Sequence, residues 1–353
     1  MTPFQERILG AGPSSIAFVG LSRGAGKTTA LRQAVTGLVE RARVFGVASA
    51  GHREEDLEAM GGPASLSLDL PIGAVVATTA PALERSQAGY EVVARLATSG
   101  SVGEVQVARI LAAGAVEIVG PGTGPELQKA VASIRRQLDG PVLVEGSITR
   151  KGFSAPGVAE WIVLAVGGGL SPTLDRVIAA ARYYLDLFGA PLAPPAAAAL
   201  FDKGTAESRC ILVDSVWNEI DSFHWQPRDN APSLLGRRDM NLAAAIVPQI
   251  LTDDTVVPLL RAGARMALVV RDPMRNTLSP VYHSAWEKRG GGVQVIHRPR
   301  VLAVTVNPVN PTGPDYDRDE FSAALIEGLE GVPVHDVLQE AEALLPRRRW
   351  FAW

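Results

Sequence analysis

Cysteine is nearly absent: Cys210 is the only one among 353 residues. One thiol closes no intrachain disulfide, so a disulfide framework and a cysteine-rich metal site are both excluded. Histidine is also scarce, with five residues and no H-x-x-x-H pair, which argues against a histidine-built zinc site. There is no excess of basic charge. Lys plus Arg is 34 against 37 Asp plus Glu, a formal net charge of -3 with a pI near 6.0. A dedicated nucleic-acid binder would carry the opposite balance, so no nucleic-acid partner is expected. Long apolar runs are missing too. The stretch around residues 161–166 falls far short of the roughly 18 residues a spanning helix needs. The opening residues MTPFQERILGAG carry Glu6 and Arg7 where a signal peptide needs an unbroken apolar run. The expected location is cytoplasmic, with no membrane association. No internal repeat of fixed period is found. What is present is 47% apolar and 20% charged residues, enough for a sizeable core. The length suits two domains or one large one.

Short apolar runs bounded by Gly or Pro predict strands over 15–20, 44–48, 75–77, 105–110, 116–119, 142–144 and 162–166. Helical spacing predicts helices over 28–41, 91–97, 125–138 and 173–188. Strands that are apolar throughout and alternate with helices indicate a parallel sheet covered on both faces. Residues 189–200 (GAPLAPPAAAAL) hold three prolines and mark the domain boundary. Beyond it the alternation resumes, with strands over 210–213, 243–247, 266–270, 293–296, 301–306 and 334–337. Helices are predicted over 253–262, 280–289 and 317–329. The expected fold is α/β: a P-loop nucleotide-binding domain with a mostly parallel sheet over 1–190, then a second α/β domain over 191–353.

The strongest chemical signal is GLSRGAGKTT at residues 20–29. It follows a predicted strand and opens a predicted helix, the context a P-loop requires. Glycines let the backbone curl about an anion, and amides at a helix N-terminus add positive potential. Ser22, Arg23, Gly24, Ala25, Gly26, Lys27, Thr28 and Thr29 are the expected nucleotide contacts. Lys27 reaches the β/γ-phosphates in this reading and Thr28 holds Mg²⁺ through its hydroxyl. The spacing departs from G-x-x-x-x-G-K-T, because Leu21 stands at the first glycine position and Gly20 lies one residue early. A variant loop with an extra lysine near its start fits no better, since Ser22 and Arg23 occupy that region.

Such a site needs an acid at a strand end for the metal or the attacking water. Glu145, closing VLVE, is the first candidate and joins Thr28 in the expected metal set. Asp214 and Asp272 also end apolar runs and read as turn or cap residues. Lys27, Glu145 and Arg150 are the candidate catalytic groups. Arg150 and Lys151 could reach phosphate or stand as a solvated basic pair. Residues 51–56 (GHREED) offer Glu55 or Asp56 for orienting water, with a solvated helix start as the plainer reading. Residues 120–124 (GPGTG) are a second Gly-rich loop that either approaches the nucleotide or simply turns. Residues 307–313 (NPVNPTG) read as a restrained turn. His224, Trp225, His283 and Trp286 read as core or interface residues. The terminal RRRWFAW reads as a docking tail or as a tail folded onto its own domain. No Asn-Lys-x-Asp string appears, which leans the nucleotide toward ATP. A small-molecule kinase, an ATP-dependent ligase and a nucleotide-sensing scaffold are the competing readings.

With the P-loop, GHREED, ATTAPALE (77–84), VEIVGPGTG and VLVEGSITRKG in view, the chain resembles a known family. This is the ATPase-like reactivase subunit associated with lysine 5,6-aminomutase, an adenosylcobalamin and pyridoxal-phosphate enzyme. In the second half the resemblance rests on VVRDPMRN (269–276) and VLAVTVNPVNPTG (301–313). It implies a Mg²⁺-dependent ATPase that acts as a reactivating chaperone of an adenosylcobalamin-dependent aminomutase. ATP binding and hydrolysis would release damaged cobalamin. It also implies a companion reactivase subunit, and leaves a homo- or hetero-oligomer open.

Overall fold

The computed structural model describes residues 1–50, 66–98, 103–148, 157–226, 230–237, 242–311 and 313–344. Residues 51–56, Arg150, Lys151 and the terminal RRRWFAW lie outside them. In chain order the strands are β1 (Ser15–Gly20), β2 (Gly46–Ser49), β3 (Leu66–Leu70), β4 (Val75–Thr79) and β5 (Gly89–Leu96). Then come β6 (Val105–Ala112), β7 (Gly114–Ile118), β8 (Val142–Ser147), β9 (Trp161–Gly167), β10 (Arg209–Val213) and β11 (Glu219–His224). The last five are β12 (Ala244–Ile246), β13 (Ala267–Val270), β14 (Gly292–Val295), β15 (Arg300–Asn307) and β16 (Val334–His335).

The chain divides into two compact units, residues 1–182 with 299–353, and residues 183–298. The first is built on a nine-stranded sheet of order β16-β15-β9-β1-β8-β2-β4-β6-β5. Seven of these, β16 through β4, run parallel, and β6 and β5 close one edge antiparallel. The strands β1, β2, β4, β8 and β9 are buried along nearly their whole length. Their unbroken apolar runs therefore signal a sheet covered on both faces. β3 and β7 form a separate antiparallel ribbon.

Helix α1 (Pro3–Gly10) starts with a capping box between Thr2 and Gln5. It buries Phe4 and Ile8 in one core with Leu31 and Leu38 of helix α2 (Lys27–Glu40) and Phe18 of β1.

Residues 183–298 carry their own sheet, of order β11-β10-β12-β13-β14, parallel over β12, β13 and β14 and antiparallel at β10 and β11. Its core includes Cys210, Trp225, Leu259 and the wholly buried Trp286. Among the described residues no helix is long and apolar enough to cross a membrane.

Three expectations are corrected. The second domain does not run from 191 to 353, because β15 pairs in parallel with β9 and β16 with β15, which returns residues 299–353 to the first unit. Residues 91–97 are not helical, and 91–96 lie in β5, paired with β6. The β-branched pair Val92-Val93 beside Tyr90 favours a pleated surface over a helix. The expected boundary at 189–200 holds the end of one helix (Leu174–Gly189) and the start of another (Ala196–Glu207), with Pro195 at the second helix's N-cap.

Candidate functional site

The carboxyl ends of β1, β8, β9 and β15 lie side by side, which is where an open parallel sheet presents its loops to a ligand. β1 is flanked by β8 and β9, so its end is fixed from both sides. Gly20 accepts from the Ile148 amide at 3.2 Å, and the Leu21 amide donates to Ala165 at 3.0 Å. Leu21 is 5% exposed. The residue that breaks the simple glycine spacing thus continues the pairing with β9 and fills the core.

From Ser22 the backbone curls. Gly24 has φ +71° and Gly26 has φ +89°, the latter as N-cap of α2. A side chain at either would strain the left-handed backbone, so the turn requires glycine. Neither amide has an acceptor among the described residues. The first-turn amides of α2 lack intrahelical partners by helix geometry. Between the two glycines the Ala25 amide donates to Ser22 O at 3.4 Å, and amides left without a partner at a helix N-terminus are able to receive an anion. The Ser22 Oγ is buried without a partner beside it, while Ala25 is buried and Arg23 is exposed.

Lys27 and Thr28 open α2 and meet one acid. Lys27 Nζ lies 2.6 Å from Glu145 Oε1, and the Thr28 hydroxyl donates to the same oxygen at 2.8 Å. Glu145 is 3% exposed, on β8 opposite Phe18 of β1. A buried carboxylate needs compensating charge and donors, and these two side chains provide both. The Lys27 side chain stays a quarter exposed, so its ammonium has a route to an incoming anion. Thr29 is half-buried one position on.

Two further segments close on the loop. Gly167, at the end of β9, packs so tightly that an added Cβ would stand 2.6 Å from Ala25 Cα. Asn307, at the end of β15, donates through Nδ2 to the Gly24 carbonyl at 2.6 Å. Neither was singled out for this site from sequence. The NPVNPTG run was legible only as a turn, because nothing local says that its strand lies two places from β1.

The other sequence candidates fall elsewhere. Asp214 accepts from the Val216 and Asn218 amides at 3.0 and 2.9 Å, and Asp272 caps Met274 at 3.0 Å, both as turn residues. Thr123 of GPGTG caps the helix Gly124–Arg135 at 3.4 Å, after β7, which belongs to the ribbon and not to the nine-stranded sheet. Trp225, His283 and Trp286 are buried, but His224 is exposed on the edge strand β11 and is no core residue. A cleft of about 770 Å³ lined by Leu9, Pro13, Arg41 and Pro141 sits where β1 and β8 begin, the far end of the strands from Lys27. It brings no glycine turn, lysine and acid together, so the carboxyl edge is the candidate site.

The chain matches no protein-family model, no curated protein and no solved structure.

Proposed function

We propose that this chain is a Mg²⁺-dependent ATPase built on a P-loop. We further propose that it acts as a reactivating chaperone of an adenosylcobalamin-dependent aminomutase of the lysine 5,6-aminomutase type, with a companion reactivase subunit. One observation carries the ATPase reading: Lys27 and Thr28, at the first turn of a helix behind a left-handed glycine turn, both address Glu145 on the adjacent strand.

The residues fit the nucleotide and its metal. The unpartnered Ser22 Oγ and the amides of Gly24 and Gly26 suit phosphate oxygens. Thr28 and Glu145 would hold magnesium. Two protein oxygens are too few for a full cage, which suits an ion that keeps waters and substrate phosphates among its ligands. When bound, it neutralises charge on the phosphate oxygens. In hydrolysis a water oxygen forms a bond to the γ-phosphorus as the bond to the β–γ bridging oxygen breaks, and the proton the water loses passes to a phosphate oxygen or to solvent, giving ADP and inorganic phosphate. Lys27 draws toward the phosphates as they enter, and the loop amides stabilise the negative charge that spreads over them.

The chaperone role rests on the family resemblance. Physically it requires that the ATP-bound chain bind one mutase conformation better than another. A shift from 1:99 to 99:1 needs about 5.5 kcal/mol of differential affinity.

Phosphate release by the purified chain with MgATP, alone and with mutase and cobalamin, tests the proposal. Slow turnover stimulated by the mutase is expected. No turnover under either condition would overturn the ATPase reading. Phosphate transferred to a small molecule would replace it with a kinase.

A further inference from the structure

A backbone turn that aims its amides at an anion sends its carbonyls the other way. In the loop over 20–26 the glycines make peptide rotation inexpensive, so a carbonyl can swing into the anion site unless something behind it holds on. Gly24 O is held. Asn307 Nδ2 donates to it at 2.6 Å, and Asn307 Oδ1 accepts from the Val309 amide at 3.3 Å. Both ends of the carboxamide are committed, which fixes which end faces the loop.

The segment bearing Asn307 is itself anchored. The Asn310 amide donates to Asp315 Oδ1 at 2.7 Å and the Tyr316 amide to Pro308 O at 3.1 Å. The Tyr316 hydroxyl donates to Ser171 O at 2.8 Å, beyond the end of β9. The loop has no slack against this segment. An added Cβ at Gly24 would stand 2.9 Å from Pro311 Cγ, and one at Gly26 3.3 Å from Asn307 Cβ.

We infer that Asn307 is a positioning residue of the nucleotide site: its carboxamide holds the Gly24 carbonyl away from the phosphates and keeps the loop amides turned toward them. For its ligand this rests on the ATPase reading above.

Asn307→Asp and Asn307→Ala, made in the full chain, separate this role from simple space-filling. Aspartate keeps the shape and the acceptor for Val309 but sets an oxygen against the Gly24 carbonyl. MgATP titration is expected to show Asn307→Asp weaker than wild type by about tenfold or more, and weaker than Asn307→Ala. Asn307→Gln, which keeps a carboxamide donor, should bind MgATP more tightly than Asn307→Asp. The apo unfolding midpoint should stay near that of wild type. If Asn307→Asp binds as well as Asn307→Ala or better, the inference is overturned and the ATPase reading stands. An apo destabilisation that accounts for the whole affinity loss, misfolding included, overturns it too. Wild-type protein that binds no MgATP overturns both.

Discussion

The Thr28 hydroxyl and the Glu145 carboxylate lie 2.8 Å apart although 117 residues separate them in the chain. The parallel register of β1 and β8 sets this distance, because Phe18 faces Glu145 two positions before β1 gives way to the loop. A slip of one residue would send the acid to the opposite face of the sheet.

Glu145→Gln keeps an oxygen for Thr28 and removes the charge. ATP turnover should fall by about 100-fold or more, with MgATP affinity changing only several-fold. Lys27→Ala should lose affinity itself. Steady-state phosphate release and equilibrium titration on the same preparations distinguish the two patterns.

Gly167→Ala adds a methyl group where Ala25 Cα would be 2.6 Å away, and backbone yields less readily than a side-chain tip. The expected cost is about 1–3 kcal/mol in urea unfolding, with weakened nucleotide binding. Unchanged stability would mean that β9 and the loop separate easily.

The acid limb of stability should depend on Asp336 and Glu340. Burial alone would raise Asp336, but hydrogen bonds from Arg318, at 2.6 and 2.8 Å, and from the Gln339 and Leu338 amides bring it below the usual carboxylate range. Burial likewise opposes the lowering of Glu340, which His335 and the Phe4 amide produce. A folded value below the unfolded one adds stability that is complete above the unfolded pKa, about 4–4.5, and is lost as pH falls through the folded value. Arg318→Ala should therefore flatten the loss of stability below about pH 4.5, measured by denaturant unfolding across pH.

Cys210 is wholly buried, and burial pushes its thiol far above the usual range, with Arg237 acting the other way. The thiolate is the reactive form, so a disulfide reagent at pH about 8 should modify the native protein slower by about 100-fold or more than the denatured chain. Rapid labelling of native protein would contradict the buried position.

Chemistry written in contiguous residues was legible in the sequence. GLSRGAGKTT declared a glycine turn running into a helix, and VLVE declared an acid at a strand end. The continuous apolar runs of β1, β8 and β9 declared a sheet buried on both faces. Legibility failed where partners are distant or patterns are short. Over β5 the apolar spacing suggests a helix, and only the short β-branched pair Val92-Val93 points to the strand that pairs with β6. That β15 belongs to the first sheet is a fact about strand order, which apolar periodicity does not encode. Asn307 and Gly167 were missed for that reason: each looks like an ordinary turn residue until its strand is placed.

The position of β15 has a consequence for synthesis. A nascent polypeptide that has emerged only through residue 298 carries the residues of β1 and α2, Lys27 and Thr28 among them, but not Asn307. It has nothing to latch the Gly24 carbonyl. On the proposed ATPase reading, competence for the nucleotide would arrive late, when the last sixth of the polypeptide docks beside β9, and a ribosome stalled short of that point would present a loop that is complete in sequence but not yet set.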